Sequence, residues 1–307
     1  MTDNARTPPE IGDARTPPKV GGAADTESGA GSGDSLQEKT KRGSSPAQED
    51  RDARERREVS ANVVHEAIRF EGEDQLNRSA WALFWSGLAA GLTMGFSLVG
   101  SGVLRAALPD TPWRFLIESL GYTVGFIFVV AGRQQLFTEN TLTPVLPVFR
   151  RISRLPDLAR LWVIVLIANL IGVLIFAWAA ALTPIFQPEV KRAFAELAHQ
   201  ALEPVAGTLL MRAIIAGWLI ALMVWLMPAA EHSRLAMIVL TTYLIAVTHM
   251  AHSIAGSAEV LFLVFTGGAG WSDYARFVSI TVLGNVIGGV TIVALLNHGQ
   301  VIADEDD

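Results

Sequence analysis

Two long apolar runs in this chain are each broken by a short polar stretch, and a nearly identical phrase follows one helix later. The run 115–149 is interrupted at Leu136-Phe137-Thr138-Glu139-Asn140-Thr141, and the run 235–265 at His252-Ser253-Ile254-Ala255-Gly256-Ser257. The phrases that follow are Ala168-Asn169-Leu170-Ile171-Gly172 and Gly284-Asn285-Val286-Ile287-Gly288. A weaker echo, Ala90-Gly91 against Ala216-Gly217, links the first apolar segment to the fourth. Helices interrupted at matching places in two similar halves mark proteins that pass solutes along a pseudo-symmetry axis. The pattern predicts an all-α membrane protein of six transmembrane helices in a 3+3 inverted repeat, with the second and fifth helices broken. An odd number of spans per half forces opposite orientations.

The six spans are placed at 80–104, 115–149, 161–183, 205–227, 235–265 and 277–296. Each is long enough for a hydrocarbon core that needs about 20 helical residues. Hydrophobic residues make up 50% of the chain although its first sixty or so positions are polar, so the remainder is more apolar still. Orientation is read from basic residues rather than from the net charge of -6, much of which sits at the two ends. Arg150, Arg151, Arg154 and Arg160 crowd one connection, Arg69 and Arg78 precede the first span, and Arg234 lies between the fourth and fifth. The opposite connections hold Arg105, Arg114, Lys191, Arg192 and Arg276. The bias puts both termini in the cytoplasm. There is no cysteine, hence no thiolate metal site or disulfide framework. No apolar stretch near the amino terminus resembles a cleaved signal, so the first span is expected to direct insertion itself.

Outside the membrane region, residues 1–50 are rich in Pro, Gly, Ser and charged residues and contain a repeated Ala-Arg-Thr-Pro-Pro, at Ala5 and Ala14. Such a composition cannot bury enough apolar surface to order itself, which predicts a disordered cytoplasmic tail. Over 51–78, Val59, Val63, Ala67 and Phe70 recur at helical spacing with charges opposite, which predicts an amphipathic helix. It can lie on the membrane surface or pack beneath the bundle. The membrane domain then covers 79–298, and 299–307 is an acidic cytoplasmic tail. Gly87, Gly91 and Gly95 in the first span, with Gly284, Gly288 and Gly289 in the last, are spaced for close helix contact.

A helix that stops inside the bilayer exposes backbone groups that lipid cannot satisfy, so such breaks persist where they are buried in protein or line a polar passage. Half-helices that begin after the breaks would turn N–H groups toward the centre and favour an anion. Asn140, Thr138, Thr141, Ser253 and Ser257 can cap those ends or line a pathway. His252 stands out, because an ionisable side chain at membrane depth is costly and imidazole exchanges protons near neutrality. His249, one turn earlier, reads as structural.

Taken in register over six spans, Leu136-Phe137-Thr138, His252-Ser253-Ile254-Ala255 and Gly284-Asn285-Val286-Ile287-Gly288-Gly289 resemble the formate/nitrite transporter family. The resemblance covers about residues 60 to 298. It implies an aquaporin-like protomer in a homopentamer of the bacterial inner membrane, conducting small monovalent weak-acid anions such as formate or nitrite. It also implies that His252 is the central histidine, that Leu136 to Thr141 is the segment interrupting the second helix, with Thr138 as hydrogen-bonding partner, and that Tyr122, Phe126, Phe137 and Ile245 form apolar slits.

Several positions depart from the family pattern. The lysine that many members keep before the fourth span has no match, since Ala201 takes its place, and two usual asparagines are replaced by Gly217 and Gly256. Charges appear instead at Arg133, Glu139, Arg212 and Glu259. Arg212 either snorkels to the interface or substitutes for the lysine as a vestibule charge. Arg133 and Glu259 are expected either to pair across the repeats or to stand as separate solvated groups. These departures place the chain in a divergent inner-membrane branch.

The mechanism expected from these residues draws a weak-acid anion into a vestibule, lets it share or take a proton from His252, and passes it nearly neutral through the slits, because a bare anion between Phe rings would be prohibitively desolvated. Alternatives are a neutral-solute pore in which His252 only donates a hydrogen bond, and a non-conducting membrane scaffold. No metal-ligand cluster, cofactor motif or nucleophile–base pair points to an enzyme, and nothing points to nucleic acid.

Overall fold

The computed structural model describes residues 60–230, 232–296 and 299–300, without the side chains of 292 and 293. The tail expected over 1–50, the start of the amphipathic segment at 51–59 and the acidic end at 301–307 lie outside the described residues. The described residues are all helical or irregular, with no strand among them.

Helix α1 spans Ala61–Asn77. Ser60 caps it by accepting from the Val63 N–H at 3.4 Å, and Val64, Ile68 and Leu76 are buried beneath it. It rests on the loop after the first interruption: a Cβ on Gly72 would lie 2.1 Å from the Thr143 carbonyl oxygen, and the Thr143 hydroxyl donates to Gln75 Oε1 at 2.6 Å. Arg160 closes the far end, donating to the carbonyls of Leu76 at 2.9 Å and Arg78 at 3.0 Å. The amphipathic segment therefore packs against the bundle. On its outer side Arg69 bonds Glu66 and Glu73, and this contact holds the Glu66 carboxyl below the ordinary carboxylate range.

Four helices are long and apolar enough to cross a membrane by length and composition: α2 at Ala80–Ala107, α3 at Arg114–Ala131, α5 at Leu155–Leu182 and α7 at Ala206–Leu226. Between α3 and α5 lie a 3-10 turn, Glu139–Thr141, and a short helix α4, Val145–Phe149. After α7 come two shorter apolar helices, α8 at Arg234–Val247 and α9 at Ser253–Phe265. Helix α10, Trp271–Ile287, continues as a π-helical stretch, Gly288–Leu295.

Between α5 and α7, where the six-span pattern calls for only a connection, the chain forms a further helix: α6, Pro188–Leu202. Pro188 sits in its first turn. It buries Ala193, Phe194 and Ala198, and the Phe194 ring packs edge-on against Phe186 at 5.2 Å and Phe262 at 5.3 Å. Phe194 and Ala198 at helical spacing after Pro188 were the available signal.

One side-chain contact is used twice. In the first, Asn169 on α5 accepts from the Phe137 N–H at 2.9 Å and donates to the carbonyls of Gly87 at 2.7 Å and Gln135 at 2.9 Å. In the second, Asn285 on α10 accepts from the Ser253 N–H at 2.9 Å and donates to the carbonyls of Ala213 at 2.7 Å and Ala251 at 3.0 Å. Each asparagine is 32 residues from its donor and 34 from the shared carbonyl. Close helix approach makes this possible. A Cβ on Gly91 would fall 2.2 Å from the Asn169 oxygen, and one on Gly217 2.3 Å from the Asn285 oxygen. Gly217 is thus a packing residue, which accounts for one departure from the family pattern.

The same equivalence governs where α3 and α8 stop. Gln134 N–H returns to the Val129 carbonyl at 3.0 Å, and Met250 N–H to Ile245 at 2.9 Å. This is the Schellman closure, with the residue before each donor in the left-handed region: Arg133 at φ 49° and His249 at φ 53°. Neither is glycine, and such a conformation costs about 1–2 kcal/mol for an L-residue.

Candidate functional site

After α8 ends, Thr248 to His252 form no helix, and α9 begins at Ser253. The sequence reading placed the interruption at 252–257. The structure puts it before His252, because His252 is the N-cap of α9 and Ser253 to Ser257 form its first turn. The His252 Nδ1 accepts from the backbone N–H of Ile254 at 3.3 Å and of Ala255 at 3.2 Å. Its Nε2 lies 2.7 Å from Thr138 Oγ1.

These contacts fix the tautomer. With Nδ1 serving as acceptor for two N–H groups, the ring proton of a neutral imidazole resides on Nε2 and is donated to Thr138. Charging the ring would require a proton on Nδ1, breaking both backbone bonds and setting positive charge on the positive end of a helix. His252 is built as a hydrogen-bond donor.

At the start of α9 the expected free N–H groups are not found. The α9 donors are occupied: Ser253 by Asn285, Ile254 and Ala255 by His252 Nδ1, and Gly256 by the His252 carbonyl at 3.0 Å. In the first interruption Phe137 is bound to Asn169, while Glu139 and Asn140 return to the Leu136 carbonyl at 3.1 and 3.2 Å. At the start of α9, any attraction for an anion therefore has to come from side chains.

A cavity of about 100 Å³ reaches His252 from one side. Glu118 and Tyr122 on α3, Arg212 on α7, His249, and Gly256 and Glu259 on α9 all line it. His252, Gly256 and Glu259 are spaced to share one helical face. His249, which ends α8, lines the cavity and is exposed.

Around His252 the chain is sealed. Phe126 meets the imidazole edge-on at 5.0 Å, and Tyr122 stacks at a tilt on Phe126 at 5.3 Å. Leu136, Phe137, Thr138, Phe126 and Ile245 are all at most 2% exposed. Asn140 takes a structural part: it donates to Gln135 Oε1 at 2.9 Å, and its carbonyl accepts from Trp162 Nε1 at 2.7 Å. Thr141 donates to the Thr138 carbonyl at 2.7 Å, and Ser257 to the Ser253 carbonyl at 2.6 Å. The Ser253 hydroxyl is buried with no hydrogen-bond partner among the described residues, as is Glu139 Oε1.

The expected pair of Arg133 with Glu259 does not form; among the described residues no ion pair joins them. Arg133 is exposed after α3, where with Arg234 it acts on Glu71 of α1. Protein crowded around the Glu71 carboxyl raises it above the ordinary carboxylate range, against the pull of these two guanidiniums. Glu259 instead faces the cavity that holds Arg212. Arg133 belongs to the surface that carries α1, and no contact brings it to that cavity.

The model of the formate/nitrite transporter family matches residues 62–299. The chain belongs to the formate/nitrite transporter family. Among its relatives is the inner membrane protein YfdC of Escherichia coli strain K12, 46% identical over 247 residues that cover 80% of each chain. The fold is that of solved family structures. An FNT family ion channel matches with a TM-score of 0.69 at 17% identity, over 78% of this chain and 98% of its own. A pentameric formate channel with formate bound matches with a TM-score of 0.62 at 20% identity, over 73% and 98%.

Proposed function

We propose that this family member is a bacterial inner-membrane pathway for small weak acids such as formate or nitrite, which are drawn in as anions and cross the His252 layer in neutral form. The observation that carries this reading is the junction of Arg212's vestibule with a sealed, largely apolar layer in which His252 Nε2–H meets the Thr138 hydroxyl. Arg212 raises the local concentration of anions. Phe126, Phe137 and Ile245 make passage of a bare charge too costly, so the permeant takes its proton from vestibule water. His252 and Thr138 then offer it a hydrogen bond in place of lost solvent. The capped Nδ1 favours this donor role over proton exchange through the ring.

On this reading the chain has six spans as a 3+3 inverted repeat. Helix α3 with the 3-10 turn and α4 forms one broken span, α8 with α9 the other, and α10 with its π-helical end the sixth. The repeated asparagine contacts support that arrangement. The basic connection at Arg150 to Arg160 faces the cytoplasm with both termini, and 1–50, 51–78, 79–298 and 299–307 remain the divisions of the chain. Transport needs no cofactor or metal here, and the reading assigns no enzymatic step.

The assembly is a homopentamer with one pathway per protomer. Trp81, Trp85, Phe128, Trp178 and Trp218 are among the large apolar side chains exposed on a protomer, and lipid and neighbouring protomers would cover them. Mass measurement in mild detergent is expected to give five copies, and a stable monomer that carries flux at full rate would reject it.

Arg212→Gln tests the vestibule charge. Screening length is about 10 Å at 0.1 M salt, so the mutant is expected to lose anion uptake severalfold at low ionic strength, to approach wild type at high salt, and to leave glycerol entry unchanged. Wild-type uptake across the salt range would make Arg212 an interfacial anchor.

A further inference from the structure

Glu259 is a carboxyl in a vestibule that the proposed function needs to be attractive to anions. It shares the cavity of about 100 Å³ with Arg212, and neither side chain makes an ion pair among the described residues. The other charges around it are accounted for. Glu118 is neutralised by Arg105 at 2.9 Å, with Arg114 at 3.8 Å, and Glu196 occupies Arg105 from α6 at 2.7 Å. On α10, Arg276 is turned to the Pro204 carbonyl at 2.7 Å and Asp273 to the Gly270 N–H at 2.9 Å, while the Tyr274 hydroxyl donates to Ser257 at 3.4 Å. The charged residues of α5 are Asp157 and Arg160, and Arg160 is spent on the end of α1 at the other surface. What remains facing the cavity is Arg212, Glu259, the phenol of Tyr122, and the imidazoles of His249 and His252.

We propose that Glu259 is a specificity-determining residue that sets an acid-dependent limit on anion entry, its carboxylate offsetting Arg212 when ionised and releasing it when protonated. The inference rests on the weak-acid reading above. Charges lining so small a cavity stand within about one screening length of each other at 0.1 M salt, so the pair acts on an incoming anion as a near-neutral unit. Protonation of Glu259 leaves Arg212 alone and the cavity cationic. The vestibule then admits anions best when its own side of the membrane is acidic, the condition under which they are closest to their neutral form.

The test is formate uptake into proteoliposomes holding the full chain, read as the ratio of Glu259→Gln to wild type from acid to mildly alkaline pH. Taking a ratio cancels the titration of formate itself. The ratio is expected to be near one in acid and to rise to about tenfold at mildly alkaline pH, the lower end of electrostatic focusing. Glu259→Asp should follow wild type, and His249→Gln should keep the rise on removal of Glu259. Glu259→Asn serves in the same comparison if the Gln variant does not assemble. A ratio flat with pH, or one that falls below one as pH rises, overturns the role of Glu259. A wild type that admits no more formate than protein-free vesicles overturns the weak-acid reading and this inference with it.

Discussion

Asn169→Ala and Asn285→Ala are each expected to cripple folding although neither side chain faces the cavity. Each asparagine satisfies one N–H and one carbonyl of an interruption and one carbonyl of a neighbouring helix. Alanine leaves the interruption's N–H and carbonyl without this partner, and an unsatisfied buried group costs about 1–3 kcal/mol. The sum over the two, about 2–6 kcal/mol, is a large part of the stability of an ordinary domain. Thermal unfolding in detergent should fall by about 10 °C or more for either variant, with most of the chain lost to aggregation on expression. Asn→Asp should fare little better, since a carboxylate accepts from Phe137 or Ser253 but cannot donate to the carbonyls. Melting of the alanine variants within about 2 °C of wild type would show that the contact does not hold the interrupted segments.

His252 gives the largest expected effect on transport. His252→Phe removes both the N-cap of α9 and the donor to Thr138, and weak-acid flux is expected to fall by about a hundredfold, a loss of about 2.7 kcal/mol at the barrier. His252→Asn is the discriminating variant. Asparagine is a favoured N-cap whose amide can still donate, so flux should fall only severalfold, with the pH profile of wild type. Loss of that profile in His252→Asn would mean that the ring exchanges protons, and that Nδ1 leaves its cap during transport.

The sequence made much of the fold legible because membrane helices declare themselves by length and by the need to satisfy their own backbone. The repeated Asn-x-Ile-Gly phrase was visible too, but not its task, since a side chain that bridges three segments gives no periodic signal. His252 was legible as an ionisable side chain at a break, but its partnership with Thr138 only through the family resemblance. The second interruption was placed a few residues late because short polar residues were read as the gap. In physical terms they mark where a helix starts, while the stop before them is made by His249 in a left-handed conformation, where a glycine would have been the usual sign. Helix α6 was missed because its buried residues, Ala193, Phe194 and Ala198, are few among polar neighbours. The Arg133–Glu259 pair failed for a simpler reason: two unpaired opposite charges in a sequence carry no information about which face each occupies.

Formate entry into vesicles tests the central claim most directly. Purified chain in proteoliposomes loaded with a pH-sensitive dye would be mixed with formate on the acidic and on the alkaline side of neutrality, beside protein-free vesicles. Entry in neutral form releases a proton inside, so the account predicts a protein-dependent acidification of the lumen that is faster at acidic external pH and absent with glycerol. Lumen acidification no faster than in protein-free vesicles at both pH values would contradict it.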